Sequence, residues 1–381
     1  MARRIAVNTG GGDAPGLNAV IRAVAVSSHW RGWEVYGIRH GYRGLIEDDP
    51  GGIVRLDRNA VRGITHLGGT ILGSTNRGDP FNYPQPNARG EIVPTDVSER
   101  LIERFKELGF EALVAIGGDG SIKLAKELLA RGLPRVISVP KTIDNDLYGT
   151  DKTFGFDTAV ATATDALDKV HTTAQSHERV MVVEVMGRYA GWIALYAGIS
   201  GGADVILIPE IPFNMDRVCE KILRREARGR HFSIVVVAEG ARPEGGQMIY
   251  KEGKGRFKEH GQLGGIAELV ADWIQTRTGK ETRSLVLGHL QRGGSPVMSD
   301  RLLALRMGCA ATKFLHDNSE NGMVAVQNDE MQFLPLNEAT GAMRTVSLDS
   351  SVLRTGRDLG LCFGDEPPGS FHPSFPPPAP A

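Results

Sequence analysis

Short runs of apolar, mostly β-branched residues alternate with segments of helical periodicity along almost the whole chain. The runs predict strands at 4–9, 112–116, 135–139, 180–185, 204–208, 233–238, 284–287 and 323–327. The segments between them predict helices at 14–30, 98–108, 121–130, 157–175, 215–228, 265–276 and 300–315. Because the runs are almost continuously apolar, their strands must be covered on both faces, which is typical of parallel sheets joined by helices. We therefore predict an α/β protein with two doubly wound, mainly parallel-sheet lobes.

The overall charge restricts what the chain can bind. Its 381 residues suffice for two domains, and its formal net charge is −1. No large basic field is available for nucleic acid or an anionic membrane, so we expect neither partner and assign phosphate binding to local clusters. The cysteines lie far apart, and no apolar stretch reaches the ~18 residues of a membrane helix. We expect reduced thiols and a cytoplasmic protein.

Glycine-rich turns follow two of the predicted strands. The first turn spans 10–16 and the second spans 117–121, and each leads into a predicted helix. Glycine lets the backbone approach a ligand closely, and a helix N-terminus favours an anion. Asp119 in the second turn could hold Mg²⁺ beside the phosphates of a substrate. Two simpler interpretations stay open, namely a plain strand-to-helix turn at 10–16 and an Asp119 that only caps its helix.

A third predicted strand leads into the segment Pro-Lys-Thr-Ile-Asp-Asn-Asp at 140–146. Phosphoryl transfer to a hydroxyl needs an acceptor for the departing proton and positive charge near the transferred group. Asp144 as the base, Asp146 near the metal and Lys141 as the cation would meet these needs. The alternative is a surface turn stabilised by aspartate and asparagine side chains.

Further cations follow or flank the later strands. They are Arg179, Arg188, Arg283, His289 and Arg292. Arginine is the preferred side chain for holding a phosphate through two hydrogen bonds, although a lone arginine is usually only a surface charge. Glu239, which follows the run at 233–238, could accept hydrogen bonds from sugar hydroxyls. Together these residues favour a sugar-phosphate pocket.

Seven segments in a fixed order resemble the phosphofructokinase family from about residue 4 to residue 362. They are TGGGDAPGLNAVIR (9–22), GGTILGSTNRGDPF (68–81), IGGDGS (116–121), PKTIDND (140–146), SHERVMVVEVMGRYAG (176–191), VVVAEG (235–240) and ETRSLVLGHLQRGGSP (281–296). A glycine after Gly-Gly-Asp together with Lys141 resembles the mixed-substrate branch of that family.

The resemblance implies a role for each matching residue. Asp144, Lys141 and Arg188 would be catalytic, and Asp119 would contact Mg²⁺. The phosphoryl donor would be held by Gly12, Arg77, Gly78, Gly118, Asp119, Gly120 and Ser121. Fructose 6-phosphate would be held by Thr142, Asp144, Arg179, Met186, Gly187, Arg188, Glu239, Arg283, His289 and Arg292.

The resemblance also implies an assembly and a division of the chain. Arg179 and Arg283 would reach the site of a neighbouring subunit in a homodimer or homotetramer. Residues 1–155 with about 291–345 would form a donor-binding lobe, and 156–290 with about 346–363 a sugar-phosphate lobe. The proline-rich composition of 364–381 predicts a disordered tail.

The expected reaction is transfer of the γ-phosphoryl group of ATP to the 1-hydroxyl of fructose 6-phosphate in glycolysis. Gly120 favours ATP, because pyrophosphate users of the family usually have aspartate there. Lys141 is typical of pyrophosphate users, and Leu124 replaces a glycine that would let adenine lie flat. A pyrophosphate-dependent enzyme, another kinase that shares only GGDGS, and a non-catalytic regulatory subunit remain the alternatives.

Overall fold

The computed structural model describes residues 2–47, 49–75, 78–251, 262–317 and 320–367. By its internal contacts the chain divides into two compact units. The first unit consists of Met1–Thr158 and Arg292–Met343, and the second unit of Ala159–Gln291 and Arg344–Ala381. No helix in the described part of the chain is long and apolar enough to cross a membrane.

Strands and helices alternate as the apolar pattern predicts. The strands are β1 (Arg4–Thr9), β2 (Glu34–Ile38), β3 (Ile53–Arg55), β4 (Tyr83–Pro86), β5 (Ile92–Thr95), β6 (Ala112–Gly117), β7 (Val136–Pro140), β8 (Val180–Val185), β9 (Val205–Leu207), β10 (Ser233–Ala238), β11 (Tyr250–Lys251), β12 (Gln262–Leu263), β13 (Thr282–Val286), β14 (Gly322–Gln327) and β15 (Glu330–Pro335). The helices are α1 (Leu17–His29), α2 (Arg43–Ile46), α3 (Ser98–Glu107), α4 (Asp119–Ala130), α5 (Phe156–His177), α6 (Trp192–Ser200), α7 (Met215–Ala227), α8 (Ile266–Thr278), α9 (Met298–Asp317) and α10 (Ser351–Asp358), with a 3-10 helix at Gly288–Arg292.

The first unit is built on a sheet with the strand order β15-β14-β7-β6-β1-β2-β3. Its inner strands run parallel, and only the edge strands β3 and β15 are antiparallel to their neighbours. Thr9 is paired with Ile116, and Gly117 with Pro140. The carboxyl ends of β1, β6 and β7 are therefore level with one another, which places the three chemically informative turns side by side.

Helices cover both faces of this sheet. Ile5 and Val7 of β1 pack in one core with α1 and α9, whereas Ala6 faces the opposite core with α3 and α4. All three of these strand residues are fully buried. The predicted fold class, a doubly wound α/β arrangement with a mainly parallel sheet, is confirmed.

The second unit contains a smaller parallel sheet with the order β13-β8-β10-β9. Its core joins the strands to α7 and α8 through buried residues such as Val182, Val235 and Ile274. At the β9 edge, Val205 forms an isolated bridge with Cys362.

The first residues of the predicted tail are hydrogen-bonded. The amide of Asn214 donates to the carbonyl oxygen of Gly364 at 2.8 Å, and the carboxylate of Glu366 accepts from the amide of Phe363 at 2.6 Å. Residues 368–381, the rest of the predicted tail, lie outside the described residues.

Candidate active site

Two glycine turns pack against each other at the carboxyl edge of the larger sheet. The amide of Gly10 donates to the carbonyl oxygen of Ile116 at 2.9 Å. A Cβ atom on Gly10 would lie 2.6 Å from the Ser121 Oγ, and one on Gly117 would lie 2.3 Å from the Ser121 Cβ. Glycine is therefore needed for this close approach. The two turns bring backbone N–H groups and the N-terminus of α4 to the same part of the sheet edge.

A pocket of about 410 Å³ extends from these turns. It is lined by Asn8, Gly10, Gly11, Gly41, Tyr42, Thr75, Gly78, Asp79, Ala115, Gly120, Ser121, Lys123 and Leu124. We call it the donor pocket. Gly78, Gly120 and Ser121 are thus brought together as predicted donor contacts, and Arg77 lies outside the described residues. Gly12 and Gly118 belong to the same two turns.

Gly120 is the glycine of this pocket whose missing side chain leaves the most room. A Cβ atom built on it would meet nothing within 4 Å. Sequence reasoning missed Asn8 and Tyr42, which are nearly buried and hydrogen-bond to each other. Burial raises the pKa of the Tyr42 hydroxyl to about 12, so this residue stays neutral. The polar Asn8 inside an otherwise apolar strand was the available signal.

Asp119 lies in the first turn of α4, whose N-cap is Gly118 with no side-chain cap. Its Oδ2 is 2.7 Å from the Lys123 Nζ. The alternative in which Asp119 caps its helix is therefore wrong. The Asp119 side chain is 44% exposed, which leaves it accessible to a ligand.

A second, smaller pocket of about 110 Å³ adjoins Asp119. It is lined by Asp119, Lys123, Asp146, Leu147, Tyr148, Ala339, Gly341, Ala342 and Met343. We call it the acidic pocket. The described residues contain no group of three or more acidic, histidine or cysteine side chains that could enclose a metal. One or two carboxylates with open positions are what Mg²⁺ uses when substrate phosphates and water complete its shell, so the residues present fit that ion.

The segment after β7 carries a buried cation between acidic neighbours. Lys141 is only 4% exposed, and its ammonium donates a hydrogen bond to the carbonyl oxygen of Gly12. Burial, together with the charge of Arg292, lowers the pKa of Lys141 to about 8. The carboxylates of Asp13 and Asp144 act in the opposite direction on this pKa.

Asp144 and Asp146 flank a residue with left-handed backbone geometry. Asn145 has a φ of 54°, is 4% exposed, and accepts a hydrogen bond from the amide of Thr153 at 3.0 Å. Burial and the charge of Asp144 raise the pKa of Asp146 to about 6. The segment is therefore anchored in the fold, and the alternative of a surface turn is wrong.

Arg292 and Thr142, both expected at the sugar phosphate, belong to the first unit. The Nη1 atom of Arg292 donates to the carbonyl oxygen of Asp13 at 3.3 Å. A Cβ atom on Gly12 would lie 2.9 Å from the same Nη1. Arg292 thus lies beside the first glycine turn and near Lys141.

Another group of predicted residues meets at the carboxyl edge of the smaller sheet. Met186, Gly187 and Arg188 follow β8, and Glu239 follows the neighbouring β10. The amide of Gly240 donates to the carbonyl oxygen of Gly187 at 3.1 Å and holds the two ends together.

Gly187 has a φ of 139°, and a Cβ atom there would lie 2.7 Å from the Ala190 carbonyl oxygen, which explains the glycine. His289 lies in the 3-10 helix after β13, the other neighbour of β8. The side chains of Arg188 and His289 are exposed.

Arg179 and Arg283 lie at the other end of this sheet. Arg179 directly precedes β8, and Arg283 is the second residue of β13. Glu281 pairs with both, at 2.9 Å from the Nε of Arg179 and 2.6 Å from the Nη2 of Arg283. The length of β8, roughly 20 Å at ~3.3 Å per residue, separates Arg179 from Arg188. Within one chain the structure does not bring these arginines to the carboxyl edge.

Comparisons with known proteins agree on one family. A profile of the family described as phosphofructokinase matches residues 4–315. The chain is 51% identical over 365 residues to an ATP-dependent 6-phosphofructokinase of Chloroflexus aurantiacus, covering 96% of this chain and 98% of the relative. It is 46% identical to ATP-dependent 6-phosphofructokinase 2 of Clostridium perfringens, covering 95% and 99%.

Solved structures give the same result. The phosphofructokinase of Pichia pastoris in the T-state matches with a TM-score of 0.75 and 31% identity, over 89% of this chain and 35% of that longer chain. A pyrophosphate-dependent phosphofructokinase of Marinobacter aquaeolei shares the fold, with a TM-score of 0.75 at 24% identity over 96% of this chain and 93% of its own. The chain belongs to the phosphofructokinase family.

Proposed function

We propose that this protein is an ATP-dependent 6-phosphofructokinase, which forms fructose 1,6-bisphosphate in glycolysis. The observation that carries the donor assignment is the donor pocket of about 410 Å³, which the glycine turns line together with other residues. Among these, Tyr42, Ala115 and Leu124 are side chains that a nucleoside would contact and that pyrophosphate would leave uncovered. The relatives named ATP-dependent 6-phosphofructokinase support the same donor.

The open space at Gly120 favours ATP over the pyrophosphate-dependent alternative. A side chain at this position would project from the first turn of α4 beside the donor pocket, where the α-phosphate of a nucleotide needs room. Lys141 is compatible with either donor, because a cation near the transferred phosphoryl group helps in both reactions. Retention of both Asp119 and Asp144 speaks against a non-catalytic regulatory subunit.

The donor would be bound by the two glycine turns of the first unit. Backbone N–H groups and the N-terminus of α4 favour the phosphate chain, and Gly12, Gly118 and Ser121 line its path. Mg²⁺, held through Asp119, would neutralise charge on the donor phosphates when bound. Fructose 6-phosphate would be held by Thr142, Asp144, Arg179, Met186, Gly187, Arg188, Glu239, Arg283, His289 and Arg292.

In the proposed reaction Asp144 accepts the proton of the sugar 1-hydroxyl. The hydroxyl oxygen then forms a bond to the γ-phosphorus while the bond from that phosphorus to the ADP oxygen breaks. Lys141 and Arg188 supply positive charge to the oxygens of the transferred group. Lys141 is suited to this work because its burial leaves the ammonium little water to compete with the phosphate.

The placement of Arg179 and Arg283 supports a homodimer or homotetramer. Both lie at the end of their sheet opposite to Arg188, so a neighbouring copy would have to supply them to the site. Among the described residues β13 is an edge strand of its sheet and exposes Leu285 and Val286, and such an edge suits pairing with another chain. We place this assembly in the cytoplasm, where glycolytic substrates are available.

The acceptor assignment is tested with ATP, Mg²⁺ and a set of sugar phosphates, with the product analysed by phosphorus NMR. Fructose 6-phosphate should be phosphorylated at the 1-position, whereas glucose 6-phosphate and fructose 1-phosphate should give no bisphosphate. Equal turnover of the three sugars would contradict the assignment.

A further inference from the structure

Lys123 stands between the two pockets of the first unit, and the roles described above leave it unassigned. It lies one helical turn after Asp119 on α4, and its Nζ is 2.7 Å from the Asp119 Oδ2. It lines both the donor pocket and the acidic pocket, as its position on the helix requires. Its side chain is 56% exposed, so the ammonium can change partner at little cost.

An ordinary surface pair would explain the same distance. Ion pairs at i,i+4 on an exposed helix contribute little stability, and this chain has others, such as Asp165 with Lys169. That pair lines neither pocket, and both of its side chains are more than two-thirds exposed. Lys123 differs because its partner is the carboxylate assigned to the metal and because its side chain lines the donor pocket.

We propose that Lys123 is a positioning residue for the donor, an inference that rests on the proposed function. In the donor-free protein its ammonium neutralises Asp119, which would otherwise be a half-exposed carboxylate close to Asp146. If Asp119 held the metal of a metal-nucleotide complex, it would no longer need Lys123, and the ammonium of Lys123 would be available to the phosphate chain. The charge of Lys123 thus weakens the binding of a metal ion without its nucleotide and strengthens the binding of the nucleotide itself.

This role predicts two effects of opposite sign from one substitution. Removing the ammonium takes away the cation paired with Asp119, so a free divalent ion should bind more tightly there. The nucleotide loses a charge-assisted contact, so ATP without metal should bind more weakly. If Lys123 only stabilised the first turn of α4, its removal would weaken the binding of both ligands.

The experiment compares the full-length wild-type protein with Lys123→Met. Binding of Mn²⁺ alone is followed by the paramagnetic resonance signal of the free ion, and binding of ATP with a chelator present is followed by calorimetry. Mn²⁺ affinity should rise by about threefold, the scale of an exposed ion pair. ATP affinity should fall by about tenfold, the scale of one hydrogen bond to a charged group.

Two further variants separate this role from a general effect of helix charge. Lys126→Met removes the same charge from α4 where Lys126 contacts Thr340 at 3.3 Å, and it should leave both affinities unchanged. Lys123→Arg keeps the charge and should bring both affinities back near wild-type values. In turnover, Lys123→Met should raise the KM for MgATP more than it lowers kcat.

The proposal is overturned if Lys123→Met changes neither affinity, if it weakens both ligands, or if Lys126→Met reproduces both shifts. Turnover of fructose 6-phosphate by the wild-type protein is measured in the same series. Normal wild-type turnover with unshifted affinities in Lys123→Met rejects the role of Lys123 alone. Absence of wild-type turnover rejects the proposed function, and the positioning role with it.

Discussion

Burial and the neighbouring carboxylates have opposite effects on the pKa of Lys141. A buried amine favours its neutral form, and the pKa of Lys141 is lowered to about 8 for this reason first. Nearby carboxylates, including Asp13 and Asp144, act to keep the proton. The side chain is therefore a cation at neutral pH that can lose its charge in mildly alkaline solution.

The pH dependence of donor use follows from this pKa. As the pH rises through about 8, free enzyme loses the Lys141 charge, so kcat/KM for the donor should fall there. An arginine keeps its charge up to pH ~12, so Lys141→Arg should lose this alkaline limb if the variant retains activity. Measured pH profiles of both proteins check the point. An identical alkaline limb in an active arginine variant would assign the titration to another group.

Asp144 is expected to act on turnover and not on sugar binding. Because a general base acts mainly in the transition state, Asp144→Ser should lower kcat by about a thousandfold. Fructose 6-phosphate affinity, measured by calorimetry, should stay close to the wild-type value. Asp165→Ser, which removes an exposed carboxylate from α5, serves as the control and should keep full turnover. Unchanged kcat in Asp144→Ser would remove this residue from catalysis.

At the scale of single elements, the start of α4 decides which donor fits. A Cβ atom at Gly120 meets no atom within 4 Å, so the fold should tolerate a side chain there. Gly120→Asp should lower kcat/KM for ATP by at least about a hundredfold, because a carboxylate would face the α-phosphate.

Binding of pyrophosphate to Gly120→Asp should be affected far less than binding of ATP, since pyrophosphate does not occupy that space. Because the wild-type protein is expected to make essentially no product with pyrophosphate, calorimetric affinities for both compounds check this prediction, with Gly120→Ala as the smaller change. Equal losses of affinity for the two compounds would mean that Gly120 matters for folding rather than for donor choice.

The C-terminus of α9 gives a prediction on stability. Arg135 donates from Nη1 to the Leu315 carbonyl oxygen at 2.9 Å and from Nη2 to the Phe314 carbonyl oxygen at 3.2 Å. These are orphan carbonyls of a helix end, so Arg135→Ala should cost about 1–2 kcal/mol and lower Tm by a few degrees.

Thermal unfolding measures this loss, and kcat should be unchanged because Arg135 is remote from the glycine turns along β7. Arg104→Ala, which removes an exposed 3.5 Å ion pair with Glu107 on α3, serves as the control and should barely shift Tm. A Tm for Arg135→Ala equal to that of the control would show that water, together with Arg3 Nη1, which also donates to the Leu315 carbonyl oxygen at 3.1 Å, caps the helix equally well.

The predicted elements differ from the observed ones in ways that local sequence explains. Strands β1, β6 and β7 are predictable because they are mostly apolar and glycine or proline ends or follows them. α4 begins two residues before its predicted start because backbone at Gly118, rather than a capping side chain, begins the helix. β2, β3 and β15 were not predicted, since β2 contains Gly37 and the others are edge strands that depend on a partner. Pairing across the sheet, not local pattern, stabilises them.

At the scale of the whole molecule, the positions of Arg179 and Arg283 bear most directly on whether two copies of the chain share a site. The predicted strands at 180–185 and 284–287 begin directly after Arg179 and Arg283, but local pattern could not predict that β8 and β13 pair in parallel and bring both arginines to the same end of one sheet. The contact of Asn8 with Tyr42 was equally beyond reach, because it depends on β1 meeting the N-cap residue of α2 in space. Local periodicity identifies elements, whereas side-chain constellations arise from the order in which the strands pair.

A shared site between copies can be tested by mixing two impaired variants. Arg283→Ala should weaken the binding of fructose 6-phosphate more than the binding of the donor. Asp144→Ser should lack turnover. Hybrid dimers combine one intact Asp144 with one intact Arg283, so random mixing should restore about a quarter of wild-type activity. Activity is measured after the two variants are unfolded and refolded together, with separately refolded samples as the control. Recovery in neither sample would contradict a contribution from the neighbouring copy.

The most direct test of the central claim is formation of fructose 1,6-bisphosphate from fructose 6-phosphate and Mg²⁺, with ATP and pyrophosphate supplied in parallel. We expect product with ATP and essentially none with pyrophosphate, because the space at Gly120 and the donor pocket both serve a nucleotide. Product with pyrophosphate alone would contradict the donor assignment and make Lys141 the better guide. Product with neither donor would contradict the sugar-phosphate assignment itself.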